Sequence, residues 1–390
     1  MRVSRADRSR LATWWFTVDH TLVLAIFALI GIGLVLSLAA SPAVAVRKGL
    51  APFHFVERHV VFSAAAVVVM LAVSMLDVTA VRRLALAVFA VSLAGLVAVF
   101  VAGTEINGAR RWLYLAGHSV QPSEFAKPCF AVLAGWLFAE ARRRNDVPAL
   151  GLAVVLGVLV AGLLVTQPDV GQTLLVSMVW GAQFFLSGQP LLAALALVVL
   201  GAAGLAGAYV AFPHVASRID RFLTPNVGDN TQVERAIRSF TEGGLLGRGP
   251  GEGTIKTVLP DAHTDFIFAV VAEEYGAVAC LLLLALFAFV TLRALVRAAR
   301  EEDMAVRLSV QGLALLFGLQ ALINMAVNVG LLPAKGMTLP FVSSGGSSML
   351  AVALTLGMLL ALTRRRHRAM VGGNNPMPRV AMGQPATGAR

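Results

Sequence analysis

Ten apolar runs, each about 20 residues long, leave this 390-residue chain little choice of architecture. A hydrocarbon core about 30 Å thick is crossed by a helix of roughly 18 or more apolar residues, whose backbone groups find their partners inside the segment. The runs fall at 20–41, 59–76, 84–103, 122–141, 148–166, 169–187, 190–213, 265–295, 306–332 and 343–363. Hydrophobic residues make up 58% of the chain and charged residues only 14%. The expected fold is therefore an all-α polytopic membrane protein with ten transmembrane helices. Two runs are interrupted, the fourth by Glu124 and Lys127 and the eighth by Glu273 and Glu274. Charges inside a span are costly, which makes paired or functional roles the expectation there.

Basic residues set the orientation. Arg2, Arg5, Arg8 and Arg10 precede the first run, and Arg82/Arg83, Arg142–Arg144, Arg297/Arg300 and Arg364–Arg366 fall in alternate loops. Both termini are expected on the cytoplasmic side. The chain divides into a cytoplasmic tail at 1–19, a membrane domain at 20–366 with a large outward loop at 214–264, and a polar, disordered cytoplasmic tail at 367–390. Ala43-Val44-Ala45 resembles a signal-peptidase site, but the apolar run before it exceeds the 7–15 residues of a cleaved signal. The net charge of +11 reflects membrane orientation and anionic headgroups rather than nucleic acid, because no basic surface with interleaved aromatics lies outside short loops. Cys129 and Cys280 lie in apolar runs without neighbouring metal ligands and read as core residues.

The polar elements gather on the outward side, at 107–127, 167–171, 214–265 and 332–348. Asn107-Gly108-Ala109-Arg110-Arg111-Trp112 leads to Gln121-Pro122-Ser123-Glu124-Phe125-Ala126-Lys127, where Pro122 suits a helix start. Glu124 and Lys127, three residues apart, share a helix face and can pair there. Asp169 is placed to cap the sixth helix. The run from Gly243 to Gly253, with Arg248 at its centre, is either a backbone that approaches a phosphate closely or a series of turns. From Lys256 to Gly276 the sequence KTVLPDAHTDFIFAVVAEEYG sets Asp261, His263 and Asp265 where a polar loop meets an apolar helix. A carboxylate there either caps the helix start or performs acid–base chemistry. The bend from Leu332 to Ser348, with Lys335, Ser343 and several glycines, permits close approach of helices or substrate.

Three motifs in this order, NGARRW with QPSEFAK, GRGPGEGTIK leading into LPDAHTDFIFAVVAEEYG, and LPAKGMTLPFVSSGGSS, resemble the SEDS family (shape, elongation, division and sporulation) over nearly the whole chain. Within that family the wording WWFTVDHTLVLA and GRGPGEGT is most similar to the division-specific branch in its alphaproteobacterial form. Two positions depart from the pattern: Ser344 and Thr231 stand where the family usually has Tyr.

The resemblance implies a ten-span peptidoglycan glycosyltransferase whose catalytic carboxylate is Asp265. Its substrate would be lipid II, polymerised into β-1,4 glycan by inversion with release of undecaprenyl pyrophosphate. Such a displacement needs a base for the attacking hydroxyl and positive charge for the leaving group. Arg111, Lys127, Arg248, Lys256 and Lys335 are candidates for the charge, with Glu124, His263 and Ser343 completing the expected substrate-binding set. No metal signature is present, so no metal or other cofactor is assigned, although a divalent cation can share the charge of a pyrophosphate. Implied partners are a class B penicillin-binding protein (an FtsI-like transpeptidase), proteins like FtsQ, FtsL and FtsB, and membrane lipids, in the inner membrane at the septum. The rival readings are a lipid II flippase and a non-catalytic divisome scaffold. A transporter calls for polar residues from one membrane face to the other, whereas the clusters here share one side.

Overall fold

The computed structural model describes residues 9–106, 109–115, 117–144, 146–211, 216, 220, 231–333 and 336–365. A short helix α1 (Arg10–Thr17) precedes α2 (His20–Arg47), α3 (His54–Ser74) and α4 (Val78–Ala102). Strands β1 (Thr104–Ile106), β2 (Ala109–Leu115) and β3 (His118–Val120) follow, then α5 (Pro122–Arg143), α6 (Ala149–Thr166), α7 (Val170–Leu186) and α8 (Leu191–Ala211). The last helices are α9 (Thr231–Gly243), α10 (Ile267–Ala299), α11 (Met304–Asn328) and α12 (Gly346–Leu362). Helices α2, α3, α4, α6, α10 and α11 are long and apolar enough to cross a membrane by length and composition, and α7 and α12 are shorter apolar helices. Exposed aliphatic residues such as Leu24, Val68, Val91 and Val101 on these helices are what a lipid-facing surface requires.

Two parts of the fold differ from expectation. An antiparallel β1-β2-β3 sheet stands where an all-α chain was expected, and the presumed N-terminal tail contains α1. In α1, Ser9 accepts from Ala12 N–H and Trp14 Nε1 donates to Ser74 Oγ at 2.8 Å. Helices also outrun their apolar stretches: α4 starts at a cap, Asp77 accepting from Ala80 N–H at 2.7 Å, which places Arg82 and Arg83 on the helix.

Helices α11 and α12 form the centre. Helix α12, buried along nearly its whole length, packs most extensively on α3, while α11 packs against α5, α10 and α7. At one end of α2, Asp19 caps the helix and pairs with Arg293 and Arg297 of α10 at 3.0 and 2.7 Å. Burial disfavours that carboxylate's charge, but hydrogen bonds from Thr21 and Arg293 and the two guanidinium charges hold its pKa well below the usual carboxylate range. Arg365 N–H donates to Thr17 O nearby, so both ends of the described chain meet on this side. The other end of α2, about 40 Å away at 1.5 Å per residue, reaches the 255–259 segment through Arg47, which donates to the carbonyls of Thr257 and Leu259.

Helix α10 breaks at Gly276, where φ is 77° and ψ −179°, a conformation open in practice only to glycine. The segment Gly243–Gly249 lies across the break. Ala277 and Val278 donate to the carbonyls of Gly244 and Leu245, while Arg248 and Gly249 donate to those of Glu273 and Glu274, all at 2.9–3.2 Å. The interrupted helix thus recovers its backbone hydrogen bonds from a loop. A Cβ at Gly243 would lie 1.9 Å from Ala272 O, and one at Gly247 2.2 Å from Glu274 O. These glycines let backbone meet backbone, as a series of turns would.

Candidate functional site

A cavity of about 600 Å³ opens at the end of the molecule far from Asp19. Its lining comes from the first turns of α3 (Phe55, Arg58, His59), the hairpin (Arg111, Trp112, Tyr114), the start of α5 (Gln121, Glu124), the 261–266 loop, the end of α11 (Asn324) and the 336–349 bend. Among the expected site residues, Asp265, His263, Glu124 and Arg111 share this cavity.

Asp265 is held through its backbone. Three successive carbonyls are each taken: His263 O by Ser344 N–H at 2.9 Å, Thr264 O by Ser343 Oγ at 2.5 Å, and Asp265 O by the amides of Asn324 and Asn328 at 2.9 and 3.0 Å. Ser343 Oγ also accepts from Leu339 N–H, so the serine–glycine bend and the HTDF loop form one stitched unit. Ser343 orients the loop and does not line the cavity. The Asp265 side chain does not cap α10: the helix begins at Ile267, and its cap residue Phe266 makes no side-chain bond. Among the described residues its carboxylate has no hydrogen-bond partner. Burial in the cavity floor, and then the Asp261 carboxylate, raise its pKa to about 7.

His263 packs on Phe55 with ring centroids 4.6 Å apart and planes tilted by 37°. Burial lowers its pKa to about 4, helped by Lys48 and Arg47 and opposed by Asp261, which leaves a neutral imidazole at neutral pH. Ser344 Oγ shares a 3.2 Å hydrogen bond with His59 Nδ1. Arg111 is committed at the cavity wall: its guanidinium donates to the carbonyls of Gln167 and Pro168 and lies 3.7 Å from Asp169. Asp169 also caps α7, accepting from Gln172 N–H.

Below the cavity, Lys127 Nζ donates to Glu124 at 3.0 Å, Gln172 at 2.7 Å and Gln320 at 3.2 Å, and Gln172 Nε2 returns a bond to Glu124. The cation is fully used, and the network joins α5, α7 and α11. Removing one partner of a buried pair strands the other. Lys127→Met is expected to destabilise the protein by about 3–5 kcal/mol, and Glu124→Gln in the same chain to restore part of the loss. Denaturation midpoints of the two single variants and the double variant in mixed micelles check this cycle.

Lys256 and Arg248 lie elsewhere. Glu273 accepts from the N–H groups of Thr254, Ile255 and Lys256 at 2.6, 2.7 and 3.0 Å, and Lys256 Nζ pairs with Glu274. Arg248 pairs with Glu242 and donates to Thr254 Oγ1. Lys256 fastens the loop to α10, and Arg248 ties it to α9 and to itself, both outside the cavity. The carboxylates Glu273 and Glu274 therefore find their partners in the loop. Lys335 lies outside the described residues. Arg58, which lines the cavity, was not singled out by the sequence reading; neither were Gln320, Asn324 and Asn328, although their spacing of four puts one polar stripe on an apolar helix. Among the described residues no group of three His, Cys, Asp or Glu gathers as metal ligands would.

The fold and this cavity define a multi-pass helical membrane protein whose site is built around the Asp265 carboxylate, which has no hydrogen-bond partner among the described residues. The chain belongs to the FtsW/RodA/SpoVE family of cell cycle proteins, whose family model matches residues 20–368. It is 46% identical over 364 residues to a probable peptidoglycan glycosyltransferase FtsW of Caulobacter vibrioides, covering 93% of each chain. It is 36% identical to the protein of that name from Halomonas elongata, covering 93% of this chain and 95% of that one. Among solved structures, a chain of a peptidoglycan synthase complex superposes with a TM-score of 0.73 at 28% identity, covering 89% of this chain and 97% of the other. The rod shape determining protein RodA of Thermus thermophilus superposes with a TM-score of 0.65, also at 28% identity, covering 90% and 97%.

Proposed function

We propose that this chain is a peptidoglycan glycosyltransferase that polymerises lipid II into β-1,4 glycan strands during cell division. The observation that carries the reading is the Asp265 carboxylate, set in a cavity without a hydrogen-bond partner among the described residues, with its backbone pinned from three sides and a pKa near neutrality. A base of that kind suits removal of a hydroxyl proton as the hydroxyl attacks. The 4-hydroxyl oxygen of one lipid II GlcNAc bonds to C1 of MurNAc at the reducing end of the growing strand. The C1–O bond to pyrophosphate breaks with its electron pair, undecaprenyl pyrophosphate departs, and Asp265 keeps the proton. Attack opposite an α-linked leaving group gives the β configuration. Among the described residues, Arg58 and Arg111 are the cations lining the cavity and would meet the pyrophosphate charge. His263, neutral at pH 7, is able to accept a hydrogen bond at one ring nitrogen and donate one at the other. Glu124, Lys127 and Ser343 hold the walls, and Arg248 and Lys256 hold the loop.

The ten long helices are read as ten spans in the inner membrane, with both termini cytoplasmic and the cavity outside; the ends of the described chain and the cavity lie at opposite ends of α2, in keeping with this. Septal placement, an FtsI-like class B penicillin-binding protein and proteins like FtsQ, FtsL and FtsB as partners belong to the same reading, which the resemblance to the division branch of the family supports. The test is polymer formation from fluorescent lipid II by the purified chain with its presumed transpeptidase partner, in liposomes containing moenomycin, against Asp265→Ala. Polymer from the parent and none from a folded variant supports the reading; no polymer from the parent overturns it.

The acid limb of the pH profile carries a further expectation. A base with a pKa of about 7 is roughly one-tenth ionised at pH 6, so the rate rises with pH through neutrality. Asp261→Asn removes the like charge that helps raise this pKa, and the limb moves to lower pH. A limb that stays in place would show that Asp261 does not act on the titrating group.

A further inference from the structure

We propose that the outer face of the β-hairpin, carrying Trp112 and Tyr114, is the ledge on which the already polymerised glycan rests between successive additions. The proposal rests on the glycosyltransferase reading above and assigns the product side of the same cavity.

Side chains alternate along β2. Arg111 turns to the helices and is fixed on Gln167, Pro168 and Asp169; Leu113 lies against Gly95 of α4. The alternation gives Trp112 and Tyr114 to the other face of the strand, and both line the cavity, as Arg111 does at its wall. Tyr114 is 59% exposed and pairs in register with Ser119, another lining residue. The ledge is stiff, because β2 is hydrogen-bonded on both sides and anchored through Arg111.

Its chemistry fits a saccharide better than a lipid tail. A pyranose ring presents axial C–H groups on one face, and these pack on the electron-rich face of an aromatic ring, while its hydroxyls need nearby partners such as Ser119. The lipid-facing helices display aliphatic residues. Here two aromatic residues, separated by one, stand among polar neighbours: Arg110 and Glu105 form an exposed ion pair beside them. The cavity itself, about 600 Å³, cannot hold a growing polymer, so the strand must leave it. A ledge that grips the strand by stacking, at sequence-independent sites, lets it shift by one disaccharide without dissociating.

The experiment compares product length per initiated strand for the parent, Tyr114→Ala, Trp112→Ala and the ring-preserving Tyr114→Phe and Trp112→Phe, with lipid II in liposomes. Losing a stacked ring is expected to shorten the product by about 3- to 10-fold in the alanine variants, with lengths close to the parent's in the phenylalanine variants. Parent-length product from folded alanine variants overturns the proposal, as does equal shortening by the phenylalanine variants, which would mark a structural role. A parent that makes no polymer is a failure of the glycosyltransferase reading instead. Binding gives a second readout: Trp112 is the one tryptophan of five lining the cavity. Soluble, uncrosslinked glycan strands added to the parent are expected to change tryptophan emission saturably, and the change is lost in Trp112→Phe. Unaltered emission in the parent, or a change that persists in Trp112→Phe, counts against the ledge.

Discussion

Asp265→Asn lowers the rate of lipid II polymerisation by about 10³-fold while leaving the fold and partner complex in place. The size follows from the role: positioned general bases contribute about 10²–10⁴-fold. The amide keeps the shape and cannot take the proton. Three features make this an isolated change. The side chain caps no helix, forms no hydrogen bond among the described residues, and is held by bonds to its backbone carbonyl from Asn324 and Asn328. Removing the charge also removes a carboxylate that burial disfavours, so Asp265→Asn is expected to be at least as stable as the parent. A variant that retains the parent's rate would take Asp265 out of the chemistry. Loss of rate with a lowered denaturation midpoint would point to a structural part for it.

Gly276→Ala is expected to cost about 3 kcal/mol or more of stability. Two effects add. A residue with a Cβ is strained at φ 77° and ψ −179°, and that Cβ would lie 2.3 Å from Leu245 O and 2.4 Å from Gly247 N. Both atoms are backbone within the segment that repairs the helix break, so neither can yield without losing hydrogen bonds. Gly251→Ala is the comparison: its φ is also positive, but nothing lies within 4 Å of a Cβ there. Denaturation midpoints in mixed micelles should fall far more for Gly276→Ala. Equal losses would mean that strain alone matters and that the packed loop contributes little.

Much of the fold was legible because a membrane imposes one rule on every span. The apolar runs fell on helices, and the interruptions at Glu124, Lys127, Glu273 and Glu274 marked places where buried charge is paired. Partners were harder to read. Arg248 and Lys256 looked like free cations near the site, yet Glu242, Glu273 and Glu274 take them or their backbone, and a charge in a sequence does not announce its counter-ion. The hairpin was missed for a local reason: strands of 3 and 7 residues leave little alternation to detect beside long apolar runs. Arg58 and His59 sit in the first turns of an ordinary-looking apolar helix, and only packing brings them to the 261–266 loop. Gln320, Asn324 and Asn328 did carry a signal, a polar stripe at helical spacing. It pointed at the unit that fixes Asp265.

The break in α10 also bears on how such a chain is made. Every group that mends it, from Gly243 to Lys256, precedes Gly276 in the sequence. A ribosome delivers the patch before the wound. Glu273 and Glu274 can therefore be neutralised as they emerge, without waiting for α11 or α12, so the costliest charges of the eighth span never face lipid alone. The cavity follows another schedule: the carbonyls around Asp265 are pinned by Ser343, Ser344, Asn324 and Asn328, all synthesised later. Until the last helix is in place the chain has a mended membrane segment and no fixed base, so the order of synthesis puts the site last.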